Sequence, residues 1–413
     1  MMEKPVAIVL GGTSPHTLLV DKLHKRGFYV ILIDYLDNPP AKRVADEHIK
    51  ESTLDKEKVL EVAQERHAQL VISACIDQTN SICCYVAEEL GLPHPYSYPV
   101  SLCVTNKGLM KKIMVNNGIP TSSFTTTNSV KTLDWSKIVF PAVVKPVDCN
   151  SSKGVHRVDS VEETKQRVSE AICLSRTRTA IIEGFNRGDE IQVDCVSMEN
   201  EVKVVMTRQK QKIASHGNDM VLQSFGSIFP APISKELQVQ AQEIATKIAK
   251  AFGLKNTPFF YQAIVTDEGI KVLEFAPRVG GGLSYYMLNE FAGYDAVEYV
   301  IDSYMGKQLR FEPKFKNGFQ STMLLYMNSG TFDHLSGLAE LKEREVVYET
   351  FVMKTKGDVV DGDLRSSNRV AALVIQGDSY DELKQKEMLA LEGIEIYDNN
   401  NKPLLNRQIY SVL

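Results

Sequence analysis

Short apolar runs at Val6–Leu10, Tyr29–Ile33 and Leu70–Ser73 alternate with helical patterns over Pro15–Arg26, Lys56–Arg66 and Asn80–Leu90. Runs of this kind, closed by turn signals, read as parallel strands buried on both faces. Their alternation with helices admits little besides a βαβαβ sheet. Ligands of such sheets gather beyond the carboxyl ends of the strands. Here those ends carry Gly11-Gly12-Thr13, Asp34 and Cys75-Ile76-Asp77. The loop from Gly11 to His16 lacks the G-x-G-x-x-G spacing that brings a helix N-terminus up to a pyrophosphate. An NAD oxidoreductase is therefore kept only as a last alternative, although Asp34 sits where a ribose-binding acid would.

The chain has 413 residues, and at roughly 100–200 residues per domain two to four domains are expected. Its formal charge of −5 supplies no global field for nucleic acid or anionic lipid, so any anion site must be built locally. No apolar run approaches the roughly 20 residues of a membrane span, and Met1–Leu10 does not read as a signal peptide. The seven cysteines are odd in number and form no C-x-x-C pair, as expected of reduced thiols in a cytoplasmic protein.

From Thr105 the texture changes. A Lys-rich helix is expected over Asn106–Asn116, strands over Val139–Pro146, Ala180–Glu183, Glu190–Val196 and Val202–Arg208, and helices over Val161–Leu174 and Lys235–Phe252. A polar loop covers Ser215–Gly226, and a smaller α+β module follows from about Arg310. The most informative segment is a hairpin, Phe259–Thr266 and Ile270–Phe275, turning at Asp267-Glu268-Gly269. A three-residue turn centred on Glu268 places Gln262 opposite Glu274, and Ile264 opposite Val272. A carboxylate and an amide oxygen side by side suit Mg²⁺ bridging phosphates, since Mg²⁺ keeps several waters. A polar cross-strand pair on a solvated face would look the same.

Beyond the hairpin, Arg278 offers a planar fork for phosphate or carboxylate. The glycines Gly280, Gly281 and Gly282 permit close backbone approach, and Ser284 is placed to cap the next helix. A Gly-rich connector with a surface arginine is the plainer reading. Lys145 ends an apolar strand, where a lysine either reaches solvent or meets an anion. The loop Ser151-Ser152-Lys153-Gly154 offers hydroxyls, free N–H groups and one charge for a flap over phosphates. It is not a Walker loop. The backbone near Glu183–Phe185 is placed to read an adenine edge, and Glu190 to accept from ribose hydroxyls; alone, both acids read equally as strand-end charges.

In order, the parts are Lys107 in a helix, Lys145-Pro146, the Ser-Ser-Lys-Gly flap, Glu183 and Glu190, Gln262, and Glu274-Phe275-Ala276-Pro277-Arg278. This succession resembles the ATP-grasp superfamily over most of the chain. The resemblance extends to carbamoyl-phosphate-synthase-like members, amino-acid (dipeptide) ligases and carboxyaminoimidazole ribonucleotide synthetase. It implies an α/β and α+β architecture with three parts. These are a biotin-carboxylase-like βαβ domain over 1–104, a bipartite nucleotide-binding grasp over 105–306 with a lid at about 122–184, and a C-terminal α+β module over 307–413.

The resemblance further implies ATP and Mg²⁺, with Mn²⁺ as a substitute. Lys107 and Lys145 would contact phosphates, and Ser151, Ser152, Lys153 and Gly154 would form the lid, Lys153 near the reacting phosphate. Glu183 and Phe185 would lie at the adenine hinge and Glu190 at the ribose. Gln262 and Glu274 would hold the metal, and Arg278 would contact phosphate and an acyl phosphate. Gly281 matches a position that approaches substrate. Many members carry Asn two residues after the metal glutamate; here it is Ala276, so a second Mg²⁺ would be held less fully.

The activity implied is activation of a small carboxylic acid, an amino acid for preference, as an acyl phosphate that an amine then attacks, releasing ADP and phosphate. Alternatives are bicarbonate-dependent carboxylation of a small amine or ribonucleotide, and ATP binding without turnover. Partners would be the two small substrates and a second copy in a homodimer. Arg208, His216 and His16 are candidate substrate contacts. His216 stands in an irregular polar loop and His16 on the first strand-end loop, where a lone histidine is more often structural.

Overall fold

The computed structural model describes residues 4–149, 153–213, 223–365 and 368–411. They fall into two compact units, one of Met1–Gly188, Val193–Met206 and Ser234–Phe315, the other of Asp189–Gln192, Thr207–Ile233 and Lys316–Leu413.

The first unit opens with the expected alternation: β1 (Val6–Leu10), α1 (Ser14–Lys25), β2 (Tyr29–Ile33), β3 (Glu47–Ile49), α2 (Lys56–Glu65), β4 (Leu70–Ile72) and α3 (Asp77–Leu90). The strands form a parallel sheet in the order β3-β2-β1-β4. Ala7, Ile8, Val9 and Leu10 are wholly buried, which is why this strand has no polar face. Helix α3 starts three residues before the expected Asn80, which puts Asp77 in its first turn. There a carboxylate also complements the helix dipole.

Next come α4 (Tyr98–Val104), α5 (Lys107–Asn116), β5 (Phe124–Thr127), β6 (Ala142–Pro146), β7 (His156–Val158), α6 (Val161–Leu174) and β8 (Ala180–Gly184). The last four strands pair antiparallel in the order β5-β8-β6-β7. Their apolar side, including Ala142, Val144 and Ile182, packs with Val168 and Ala171 of α6. The Ser97 hydroxyl caps α4 by accepting from the Val100 N–H. The strands β9 (Asp189–Ser197) and β10 (Val202–Lys212) contribute residues to both units. With β12 (Thr257–Thr266) and β13 (Gly269–Ala276) they give the order β13-β12-β9-β10. Helices α7 (Lys235–Ala251), α8 (Ser284–Ala292) and α9 (Ala296–Tyr304) complete this unit.

The second unit adds β11 (Ser224–Phe229), part of which had been read as polar loop. It continues with β14 (Phe319–Tyr326), β15 (Gly330–Thr331), β16 (His334–Ser336), α10 (Leu338–Glu343), β17 (Glu349–Val352), β18 (Val359–Val360), β19 (Arg369–Gly377), α11 (Tyr380–Gly393) and β20 (Glu395–Tyr397). Its main sheet runs β10-β11-β14-β19-β17, and Val370 to Ile375 of β19 are wholly buried. The unit is α+β, and besides the chain from Lys316 it takes in Asp189–Gln192 and Thr207–Ile233. No helix of the described residues is long and apolar enough to cross a membrane.

Candidate active site

The hairpin brings Gln262 opposite Glu274, by a different route from the one expected. The loop holds two residues, because Thr266 pairs with Gly269, and Gly269 takes a φ of 107° that favours glycine. That register would set Ala263 against Val272 and Ile264 against Lys271, which it does, correcting the expected Ile264–Val272 pair. A bulge then shifts the register between Ala263 and Gln262, leaving Leu273 as the extra residue and restoring Gln262 to Glu274. Both side chains are half-buried.

A third group joins them. The Asn106 side chain caps α5 by accepting from the N–H groups of Gly108 and Leu109 at 3.0 and 3.1 Å, which makes Lys107 the first helical residue. The Lys107 ammonium lies 3.4 Å from Glu274 Oε2 and donates to the carbonyl of Cys149 at 2.8 Å. Among the described residues no three His, Cys, Asp or Glu side chains converge into an all-protein metal cage. One amide and one carboxylate oxygen at a strand pair is the donor chemistry of Mg²⁺, which completes its shell with water and phosphate oxygens.

Lys145 has a partner that the sequence did not disclose. Its ammonium lies 2.8 Å from Glu183 Oε1 across neighbouring strands β6 and β8, and Lys111 of α5 lies 3.2 Å from Oε2. Burial would raise the Glu183 carboxyl, but the two ammonium groups outweigh it and hold it below its ordinary value. Lys111 is wholly buried, and that burial pulls its ammonium below the usual lysine range despite Glu183. The Glu183 side chain thus belongs to a buried ion cluster.

The adenine-edge reading also moves along the chain. Gly184 N–H donates to Ser123 O at 2.9 Å and Phe185 N–H to Pro141 O at 3.0 Å, so neither is available. The next N–H, that of Asn186, has no acceptor among the described residues. Phe185 itself is half-buried, with the Arg157 guanidinium 5.0 Å over its ring.

Arg278 is held by Asp77 in a two-pronged pair, Nε to Oδ1 at 2.5 Å and Nη2 to Oδ2 at 2.7 Å, while its third nitrogen reaches Val279 O. It also lies 5.1 Å over the Phe260 ring. Burial would lower its pKa; Asp77 more than compensates and raises it. Beside it, Gly281 is exposed, and the space a side chain would fill there is open. Ser284 does not cap α8: it is the first helical residue, and its hydroxyl donates to Gly281 O at 2.7 Å.

The remaining candidates scatter. In the second unit both oxygens of Glu190 meet lysines of β10, Lys210 and Lys212. These lysines escaped notice because β10 runs four residues past its expected end at Arg208. Arg208 is buried, 5.7 Å over the Phe229 ring. Lys153 is exposed. Gly154 has φ 71°, and a Cβ there would come within 2.6 Å of Leu174. Ser151, Ser152 and His216 lie outside the described residues.

His16 is fully buried, not at a substrate surface. Its Nδ1 lies 2.8 Å from Thr13 Oγ1 and its Nε2 3.2 Å from Ser73 Oγ. Burial lowers its pKa from 6.5 to about 4. The folded imidazole is therefore neutral, and its contribution to stability is complete above pH 6.5 and lost as pH falls towards 4. Between pH 7.5 and 4.5, urea unfolding of the wild type is expected to lose about 3 kcal/mol that a His16→Gln variant keeps. Equal losses would show that His16 protonates within the fold. Asp34 likewise serves its own loop, accepting from Gly12 N–H at 2.7 Å and Leu36 N–H at 2.9 Å. A carboxylate engaged in this way is a poor ribose acceptor, which removes the main support of the NAD alternative.

Residues 105–282 match the family described as phosphoribosylglycinamide synthetase, ATP-grasp (A) domain, and residues 323–398 match L-amino acid ligase C-terminal domain 2. A formate-dependent phosphoribosylglycinamide formyltransferase of Rhodococcus jostii is 23% identical over 281 residues, 66% of this chain and 68% of the relative. The crystal structure of the L-amino acid ligase from Bacillus licheniformis superposes with a TM-score of 0.80 at 21% identity, covering 97% of this chain and 100% of that one. The N5-carboxyaminoimidazole ribonucleotide synthetase from Thermotoga maritima gives 0.74 at 19%, covering 96% and 100%. With the order of the site residues, these likenesses place residues 105–282 in the ATP-grasp superfamily and make the chain an ADP-forming ligase of that superfamily.

Proposed function

We propose that this protein uses ATP and Mg²⁺ to activate the carboxyl group of an amino acid as an acyl phosphate and joins it to an amine, releasing ADP and phosphate. The observation that carries the amino acid is the match of residues 323–398 to L-amino acid ligase C-terminal domain 2. Gln262 and Glu274 would hold the magnesium, which when bound draws charge off the phosphate oxygens. Lys107 and Lys145 would meet the triphosphate, Lys153 and Gly154 would cover it, and the Asn186 N–H would face the base. Such a site needs no side-chain nucleophile. Its residues hold two anions in line and disperse the charge that builds between them.

Arg278 enters this scheme as a preformed fork. Its pairing with Asp77 fixes the guanidinium plane while the neighbouring Gly281 leaves room for a substrate. A division at about residue 104 is supported by the start of the ATP-grasp match at residue 105, and one at about 306 belongs to the same proposal. A homodimer and a cytoplasmic setting belong to the same reading, and the seven cysteines, all unpaired, are in keeping with the latter.

A phosphate-release screen of amino acids in pairs, with Mg²⁺ and ATP, tests the proposal. Release that requires two amino acids, or one and an added amine, is expected, with the dipeptide or amide seen by mass. The likeness to a carboxyaminoimidazole ribonucleotide synthetase keeps one competitor in view. Release that depends on bicarbonate, and not on an amino acid, would replace the amino-acid reading with carboxylation.

A further inference from the structure

The cluster around Glu183 holds two lysines and one carboxylate, and the lysines are not equivalent. Lys111 is sealed. Its side chain has no exposed surface, and its ammonium meets Thr121 Oγ1 at 2.6 Å, Glu183 Oε2 at 3.2 Å and Val272 O at 3.5 Å. An ammonium has three protons to give; with three acceptors around it and no open side, Lys111 has none left for a ligand. Lys145 stands at the rim, with 10% of its side chain exposed. Its ammonium is 2.8 Å from Glu183 Oε1.

A wholly buried carboxylate demands a counter-charge. Were Lys145 the sole cation beside Glu183, the pair would sum to zero, and a phosphate approaching Lys145 would have to compete with the carboxylate. Lys111 changes that sum. Two ammonium groups face the one Glu183 carboxylate, Lys111 from inside and Lys145 from the rim.

We propose that Lys111 is a positioning residue of the nucleotide site: it neutralises Glu183 from inside, and so leaves the charge of Lys145 available to the phosphates of ATP. The inference rests on the reading that Lys145 meets ATP. It assigns Lys111 no contact with the nucleotide. It also gives a reason for a lysine on the buried side of α5, a place where an apolar residue would pack at no electrostatic cost.

Calorimetric titration with ATP and Mg²⁺ tests the idea without knowledge of the other substrates. Lys111→Met should weaken binding about tenfold, the scale of one charge-assisted contact. The double variant Lys111→Met/Glu183→Gln should return to within about threefold of the wild type, because removing the carboxylate releases Lys145 again. A merely structural lysine predicts no such rescue. Unchanged affinity in Lys111→Met, or a double variant as weak as the single one, would overturn the proposal.

Circular dichroism and thermal melting establish that each variant is folded. If Lys111→Met does not fold, Glu183→Gln alone decides: it should tighten binding about threefold, and unchanged or weaker binding would overturn the proposal. A wild type that fails to bind ATP would instead overturn the nucleotide reading itself. These two failures are therefore distinguishable.

Discussion

Replacing Glu274 with alanine is expected to lower Mg²⁺-dependent ATP turnover on the order of 10³-fold, the several kcal/mol that a well-placed cation contributes to a phosphoryl-transfer transition state. The expectation comes from the register of the hairpin. Glu274 is the only carboxylate of the β12–β13 pairing that faces an amide oxygen, that of Gln262. It also pairs with the Lys107 ammonium at 3.4 Å. Its loss leaves Gln262 to hold the metal alone and leaves Lys107 with the Cys149 carbonyl in place of a carboxylate. Glu274 is half-buried, so the fold should survive, and an unchanged melting temperature is part of the expected result. Initial rates of ADP formation across a Mg²⁺ series check it. A variant with wild-type turnover would remove the metal assignment, whatever the substrates prove to be.

Lys145→Met should weaken binding of ATP by about 10–100-fold, the range of a charge-assisted hydrogen bond between lysine and phosphate. It should do so without unfolding the protein, because Lys111 still neutralises the buried Glu183 at 3.2 Å. The same buried acid makes the reverse experiment informative. Replacing Lys111 removes no contact with the nucleotide, and any loss of affinity must then travel through Glu183. Nucleotide titration of the two single variants side by side separates direct from indirect loss. Equal affinity of Lys145→Met and the wild type would discredit a phosphate role for Lys145.

Much of this site could be read along the chain, for a physical reason that the hairpin illustrates. Strand periodicity and turn residues act over a handful of neighbours, so Gln262 and Glu274 were placed opposite each other without any coordinates. Yet the agreement came from two compensating differences. The loop is one residue shorter than expected, and a bulge at Leu273 makes up the shift. A bulge is selected by how a strand must twist against its neighbours, which no local pattern records. The Ser284 cap failed similarly. A serine before a helical pattern suits an N-cap, but the Gly281 carbonyl offered its hydroxyl a nearer partner at 2.7 Å.

Charge partners were the least legible part. Glu183 was placed at an adenine hinge and Glu190 at a ribose by resemblance, and alone both read equally as strand-end charges; each carboxylate in fact meets a pair of lysines. Arg278 was read as a free fork, and Asp77 occupies it in this structure. His16 was a candidate substrate contact with a structural role as the plainer reading, and its ring is fully buried between Thr13 and Ser73. Each correction involves a group brought from a distant stretch of chain or a burial that depends on the completed sheet.

The chain by itself thus determined the parallel βαβ opening, the lysine at the end of β6, the paired oxygens of the hairpin and the arginine that follows. All of these arise from apolar periodicity and turn chemistry acting between near neighbours. Only the tertiary structure decided which of those charges are spent on one another and which face outward. Asp77 and Arg278 are 201 residues apart in sequence yet lie 2.5 Å apart in space. An ion pair of that kind depends on distance through space and on the burial that strengthens it, and linear order encodes neither.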